Sequence, residues 1–388
     1  MRNIKILHCG DLHFDTVFAE LDGNMADTRR EDLRETFGKI INECKSNEID
    51  LLLISGDIFD NNLVMYETAT FILKKFNEIP KTKVFISPGN HDAFTDKSFY
   101  STLLWPDNVH IFKPTMEKVE IPNLNTVVYG AAFSNPYEKQ GLLNEFNINN
   151  PEKINIMVMH GDYVGNNGNS NYNPICDEDI SNSGLDYLAL GHIHTFSGIK
   201  KVGKTSFAYP GCPEGRGFDE IDSKGIIIGE INKDLINLDF KEICKRKYKI
   251  LNVDITDSSN YDDIVLKIYE KLELHNDLSN YSIDFAEKEL TNNLYKIFLR
   301  GNIEKEFKIN INVLYQKLKD KFFYLKLIDE TEEIIDYDEI SKQLSLRGVF
   351  VKEMLEKIKF ASNEEEKEKL RLALKIGLNA LDLKEVIY

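Results

Sequence analysis

Five short clusters of metal-ligating residue types punctuate the first half of the chain: Asp11-Leu12-His13, Gly56-Asp57, Gly89-Asn90-His91-Asp92, His160-Gly161-Asp162 and Gly191-His192-Ile193-His194. They hold five of the eight histidines. A lone histidine is more often a satisfied core residue than a ligand, and a lone aspartate at a strand end is often only a cap. Five clusters, each directly behind an apolar run, are a different case. Imidazole and carboxylate together suit manganese, iron or zinc better than calcium, which takes oxygen throughout. Asp11 and His13 stand two apart on a segment leaving a strand, so both can face one ion if the backbone bends there. His192 and His194 share that spacing and could give one ring to each of two ions. A carboxylate has two oxygens and can bridge two cations, whereas an imidazole offers one nitrogen per metal. The bridge therefore falls to Asp57.

The elements that must present these clusters follow from periodicity. Runs at 4–8, 50–55 and 83–87 are short and apolar, as buried parallel strands are. Segment 27–46 carries Leu33, Phe37, Ile40, Ile41 and Cys44 at helical spacing, and 68–76 makes a second helix. This β-α-β-α-β rhythm implies parallel strands with right-handed crossovers, and open sheets of that kind place their sites at the C-terminal strand ends. Further strands are expected at 116–121, 126–131, 155–159 and 187–190, with an Asn/Gly-rich loop over 165–173. Segments 206–209, 225–231 and 235–240 read as an antiparallel run closing a second sheet. The fold class is α/β, two packed sheets with helices outside, over residues 1–245. Beyond 248 the clusters stop. Strand, helix, strand, helix, strand over 248–254, 261–272, 295–300, 309–318 and 322–327 make a small α+β domain at 248–330, in which 276–293 is too polar to assign. Residues 331–388 hold two amphipathic helices, with stripes Val349, Phe350, Leu355, Ile358 and Leu370, Leu374, Leu378, Leu381. These pack on their own domain or dock on a partner.

At 388 residues and 42% hydrophobic content the chain can bury a large core. No apolar run approaches the roughly 18 residues that a membrane span needs. Residues 1–7 are interrupted too early by polar side chains for a signal peptide. Five scattered cysteines without CxxC spacing read as reduced thiols, so a cytoplasmic protein is expected. The net charge of −16 argues against a nucleic-acid coat or a membrane-surface binder. It leaves a nuclease open, because bound cations and a local basic surface offset the global sign. The basic segment 241–249 reads better as a lysine-protected strand edge than as a DNA contact.

Taken together, Asp11-x-His13, Gly56-Asp57, Gly89-Asn90-His91-Asp92, His160 and Gly191-His192-x-His194 resemble the calcineurin-like metallophosphoesterase superfamily, over residues 4–245. The resemblance implies a four-layer metallophosphoesterase sandwich that holds two divalent metal ions. One ion would take Asp11, His13, Asp57 and His194; the other Asp57, the side-chain oxygen of Asn90, His160 and His192. His91 would not be a ligand but would hydrogen-bond the phosphate or protonate the leaving oxygen, with the Asp60 carboxylate orienting its ring. Asp92 and Asp162 would orient loops. Within the superfamily, His8 to Asp15, Gly56 to Asp60, Tyr209 to Phe218 and Lys224-Gly225 resemble the bacterial SbcD and YhaO-type DNA-repair exonucleases. That implies a Mn²⁺-dependent DNA exonuclease with single-strand endonuclease activity, iron or zinc being the other metals the ligands would take. It also implies a capping domain at 248–330 and an SbcC-like ATPase subunit docked on 331–388, and it admits a homodimer. Arg216 would meet a phosphate backbone or stabilise a turn. The alternatives are a phosphatase or small-molecule phosphodiesterase of the same superfamily, and a chain that serves mainly as scaffold for the ATPase.

Overall fold

The computed structural model describes residues 3–60, 64–166, 168–276, 290–304 and 307–381, so most of the polar stretch 276–293 lies outside the described residues. The chain opens with β1 (Ile4–Cys9), α1 (Gly23–Ser46), β2 (Leu51–Ile54), α2 (Tyr66–Asn77), β3 (Lys83–Ile86), α3 (Phe99–Thr102) and β4 (Val109–Ile111). Strands β1 to β4 pair in parallel, neighbour to neighbour. Alternation along β1 sends Ile4 and Ile6 to one face and Leu7 and Cys9 to the other, where α1 and α2 cover them. Helix α1 starts at Gly23 and not at 27 as expected, because Asp22 Oδ1 accepts from the Met25 N–H at 2.9 Å and caps it.

The second sheet is built from β5 (Glu117–Ile121), β6 (Thr126–Ala131), β7 (Ile154–His160), β10 (Tyr187–Gly191), β11 (Lys200–Val202) and β12 (Thr205–Ala208), in the order β11-β12-β10-β7-β6-β5. Between β7 and β10 come a small parallel pair, β8 (Asp162–Gly165) and β9 (Pro174–Cys176), and α4 (Asp177–Ser183). The two sheets meet through Ile4, Ile6, Leu51 and Leu53 on one side and Val128, Ile156, Val158 and Ala189 on the other. This is the expected α/β sandwich: two mixed six-stranded sheets with helices outside.

One expectation about its closure is corrected. Only β12 joins the second sheet, and it pairs in parallel with β10. Strands β13 (Gly225–Ile231) and β14 (Ile236–Glu242) form a hairpin that adds to the first sheet, antiparallel to β1. The reason is burial on both faces: Ile226 belongs to the helix-side core and Ile227 to the inter-sheet core, so β13 must be an interior strand. The basic segment behind it is spent on the chain's own carboxylates. Lys241 pairs with Glu43, Lys245 with Asp32 and Glu35, Arg246 with Asp32, and Lys247 with Glu242.

The chain divides into two compact units, one of Met1–Leu251, Glu273–Ile297 and Tyr315–Leu327, the other of Asn252–Leu272, Phe298–Leu314 and Ile328–Tyr388. The expected strand-helix-strand-helix-strand pattern is present as β15 (Tyr248–Asp254), α5 (Tyr261–Asn276), β16 (Leu294–Arg300), α6 (Ile311–Leu318) and β17 (Tyr324–Asp329), with the strands in the order β15-β16-β17. In the second unit α7 (Tyr337–Ser341), α8 (Leu346–Lys359) and α9 (Glu364–Leu381) pack around Ile340, Val351, Met354, Leu374 and Leu378. On α8 Val351 and Met354 are buried in this core, and the expected Phe350, Leu355 and Ile358 pack half-buried against it. Val349, expected on the same stripe, falls on the other side and is 58% exposed.

Between the sheets, His8 ties β1 to β10: its Nδ1 lies 2.9 Å from Tyr187 Oη and its Nε2 3.0 Å from Ser55 Oγ. Burial pushes its pKa from 6.5 down to about 3. The unfolded chain therefore binds the extra proton between those values, and stability is intact above about 6.5 and falls as pH drops toward about 3. The loss attributable to this one group reaches up to about 5 kcal/mol. His8→Gln should flatten that part of the acid limb, measured by urea unfolding between pH 7 and pH 4. Parallel wild-type and variant curves would contradict it.

Candidate metal centre

The C-terminal ends of β1, β2 and β3 in the first sheet, and of β7 and β10 in the second, open onto one space. The backbone is forced to turn there. Asp11, His13 and Asp57 have φ of 53°, 46° and 50°, and His192 has 113°. Non-glycine residues in such conformations cost about 1–3 kcal/mol each and persist where the surrounding structure imposes them. Here the imposing element is continued strand pairing, since Asp11 N–H donates to Gly56 O at 3.0 Å and His13 N–H to Asp57 O at 2.9 Å. The bend brings Asp11 and His13 to face the same space, as their spacing required.

Asp57 is divided between two tasks. Its Oδ1 accepts from the His91 N–H at 3.0 Å. Its Oδ2 lies 3.7 Å from His13 Nε2 and 3.4 Å from His160 Nε2. On one side, His13 Nε2 faces His194 Nε2 at 3.2 Å, which in turn is 3.7 Å from Asp11 Oδ1. On the other, Asn90 Oδ1 lies 2.9 Å from His160 Nε2 and 3.2 Å from His192 Nδ1. All seven ligand candidates are thus brought together, in two groups around Asp57. A single oxygen faces both groups, where the sequence argument had used one oxygen for each. Glycine is obligatory beside it, because a Cβ at Gly89 would collide with Asp57 Oδ1.

The proton positions show what this arrangement lacks. His13 Nδ1 is 3.1 Å from Asp60 Oδ1, His160 Nδ1 is 2.8 Å from Ser55 O, and His194 Nδ1 is 2.6 Å from Glu220 Oε1. At His13 and His160 the partner can only accept, so Nδ1 carries the proton and Nε2 presents a lone pair inward, whereas His194 Nδ1 faces Glu220 Oε1 and also, at 3.1 Å, Arg216 NH2. Those lone pairs face one another, two carboxylates and an amide oxygen. Burial, reinforced by Arg216, holds His13 well below the ordinary imidazole range, and burial lowers His160 as well. Burial and then His160 push His192 down to about 4. At Asp57, burial and the neighbouring Asp92 and Asp11 push the carboxyl well up. Carboxylate oxygens and imidazole lone pairs gathered with only the His91 and His192 amides donating among them fit divalent cations. Two acidic and imidazole subsets, Asp11-His13-His194 and Asp11-Asp57-His160, each converge within 4.8 Å.

The supporting residues differ in part from expectation. The Asp60 carboxylate is spent on His13 and on Arg216 NH1, at 3.0 Å. His91 Nδ1 donates instead to the main-chain oxygen of Asp60 at 2.8 Å, while the carboxylate is 3.8 Å away. That hydrogen bond fixes the proton on Nδ1 and leaves Nε2 facing outward on a 42% exposed side chain. Asp92 braces the loops as expected, accepting from Ile58, Phe59 and Gly89 N–H groups and from Tyr100 Oη. Asp162 is held through its N–H by the Tyr172 and Asn173 carbonyls. Glu220 was not found from the sequence, since it stands 26 residues from His194; the i,i+4 spacing of Arg216 and Glu220 was its local trace. Arg216 donates to Glu220 Oε1 at 2.7 Å as well as to Asp60. Against the effect of burial, His194 and Arg216 hold the Glu220 carboxyl far below its usual range. One arginine therefore fixes both carboxylates that orient His13 and His194.

Residues 4–196 match the family described as calcineurin-like phosphoesterase. The chain is 24% identical over 269 residues to the uncharacterized metallophosphoesterase YhaO of Bacillus subtilis, a match covering 67% of this chain and 65% of that one. It is 23% identical over 239 residues to the DNA double-strand break repair protein Mre11 of Methanopyrus kandleri, covering 57% and 51%. To the Mre11 of Saccharolobus solfataricus it is 25% identical over 298 residues, covering 71% and 72%. The matches thus span less than two thirds of the first two relatives. With the ligand clusters at its strand ends and the family match over the same residues, the chain carries a calcineurin-like metallophosphoesterase domain, a hydrolase domain.

Proposed function

We propose that this chain is a Mn²⁺-dependent DNA nuclease, an exonuclease with single-strand endonuclease activity, working in DNA repair in the cytoplasm. The observation that carries the metallohydrolase part is the pair of ligand groups sharing Asp57 Oδ2. The DNA part is supported by relatives whose names give DNA double-strand break repair. In this reading Asp11, His13, Asp57 and His194 hold one cation, and Asp57, Asn90, His160 and His192 the other. Two bound cations would supply Lewis acidity and neutralise charge gathering on a phosphoryl group. The chain's own residues do the rest. The His91 N–H holds Asp57 in orientation. As the imidazolium, His91 hydrogen-bonds the phosphate through its Nε2–H or delivers that proton to the leaving oxygen, while its Nδ1–H is held by the Asp60 carbonyl. Arg216 keeps Asp60 and Glu220 aimed at the imidazoles. The reading also takes 248–330 as a capping domain and 331–388 as a docking segment for an SbcC-like ATPase. Exposed Leu346, Val349, Phe360 and Leu372 on α8, at its C-cap and on α9 support the latter.

Purified protein with Mn²⁺ should degrade labelled duplex ends or single strands. Cleavage of a small aryl phosphodiester with neither DNA touched would reject the nuclease reading. Among variants, Asp57→Ala should lose both metal equivalents by equilibrium dialysis, together with activity. Glu220→Gln should weaken Mn²⁺ binding by about 10-fold or more, because the carboxylate behind His194 is lost. His91→Ala should retain its metal and lose about 10²–10⁴ in turnover. Metal loss in the His91 variant would reverse that assignment.

A further inference from the structure

The metal centre continues outward as a series of aromatic rings that the two-cation reading does not use. His160 and His192 are 5.2 Å apart between ring centroids, His192 and Tyr172 4.8 Å, and Tyr172 and Tyr137 5.7 Å. The last two steps are tilted by only 35° and 37°, so the three rings present their faces in sequence, ending on Tyr137, which is 61% exposed.

The rings are nevertheless registered to the centre by a rigid frame. The Tyr172 carbonyl accepts from the Asp162 N–H at 2.9 Å. Glu138, next to Tyr137, donates its N–H to Asn171 O at 2.8 Å and accepts from the Asn173 N–H at 2.5 Å. Asn173 is fully buried; its Nδ2 donates to His160 O at 2.7 Å and its Oδ1 accepts from the Leu142 N–H at 2.7 Å. The carbonyl of a candidate ligand and the backbone carrying both tyrosines are thus joined through one buried side chain.

We infer that Tyr172 and Tyr137 form a stacking step for an unpaired nucleobase next to the cleaved phosphodiester. Every base has a π-face, so such a step accepts any sequence, whereas in a duplex those faces are covered by neighbouring pairs. The step therefore selects single-stranded DNA, or a frayed end, as the strand that enters the centre. The inference rests on the nuclease reading and names the form of its substrate.

The test compares kcat/KM of the Mn²⁺-loaded protein on a single-stranded oligodeoxynucleotide and on the same backbone carrying an abasic tract. Wild type should prefer the base-bearing strand by about 5- to 100-fold, the range of one stacked base. Tyr137→Ala should lose most of that preference, chiefly through KM, and Tyr137→Phe should keep it. A wild type indifferent to the bases, or a Tyr137→Ala variant with the full preference, would overturn the inference while leaving the nuclease reading in place. Hydrolysis of an aryl phosphodiester with neither strand cleaved would overturn both.

Discussion

The arrangement depends on one oxygen atom, Asp57 Oδ2. A buried carboxylate is held by the His91 amide on one oxygen and faces imidazole lone pairs from both sheets with the other. In the absence of positive charge this is unfavourable: burial and two neighbouring aspartates push Asp57 well up, while burial keeps the facing imidazoles neutral. Bound cations would offset the repulsion among the carboxylates and would take up the lone pairs of the neutral imidazoles. The domain has thus been built around a charge deficit that only metal relieves.

The rest of the fold can be read as the means of holding that deficit open. Parallel strands in both layers end on the same side, which is where a carboxylate from the first sheet can meet imidazoles from the second. The left-handed turns at Asp11, His13 and Asp57 are stabilised by strand pairing that continues past the regular sheet. Behind the imidazoles stand acceptors fixed by other elements: Ser55 O, Asp60 and Glu220, the latter two joined by Arg216. The loop bearing Arg216 is itself anchored to α1. Fully buried Arg29 donates to Glu214 Oε1 at 2.9 Å and to Gly215 O at 2.7 Å, and Glu214 also accepts from Thr36 Oγ1. Both terminal nitrogens of Arg29 are paired while its Nε has no hydrogen-bond partner, so the cost of desolvating the guanidinium is only partly offset.

What the sequence made legible was the part encoded locally. Apolar runs and glycines mark the five clusters at the strand ends, the family resemblance implies Asp11, His13, Asp57, Asn90, His160, His192 and His194 as the ligands among them, and the structure brings these seven together. The sandwich was legible for the same reason. The hairpin β13–β14 was not, because an interior antiparallel strand and an edge strand differ in long-range burial and not in local pattern. Side-chain pairing was least accessible. The family resemblance implies Asp60 behind His91, yet its carboxylate turns to His13 and Arg216; Glu220 and the Tyr172–Tyr137 step depend on loops meeting across the fold. On α8, three consecutive apolar residues, Val349 to Val351, obscured which face is buried.

The central claim is that two cations share Asp57. It is tested most directly by anomalous diffraction from crystals grown with Mn²⁺. The account predicts two peaks about 3.5–4 Å apart, both within bonding distance of Asp57 Oδ2, one reached by His13 and His194 and the other by His160 and Asn90. A single peak, or two peaks of which one does not touch Asp57, would contradict it.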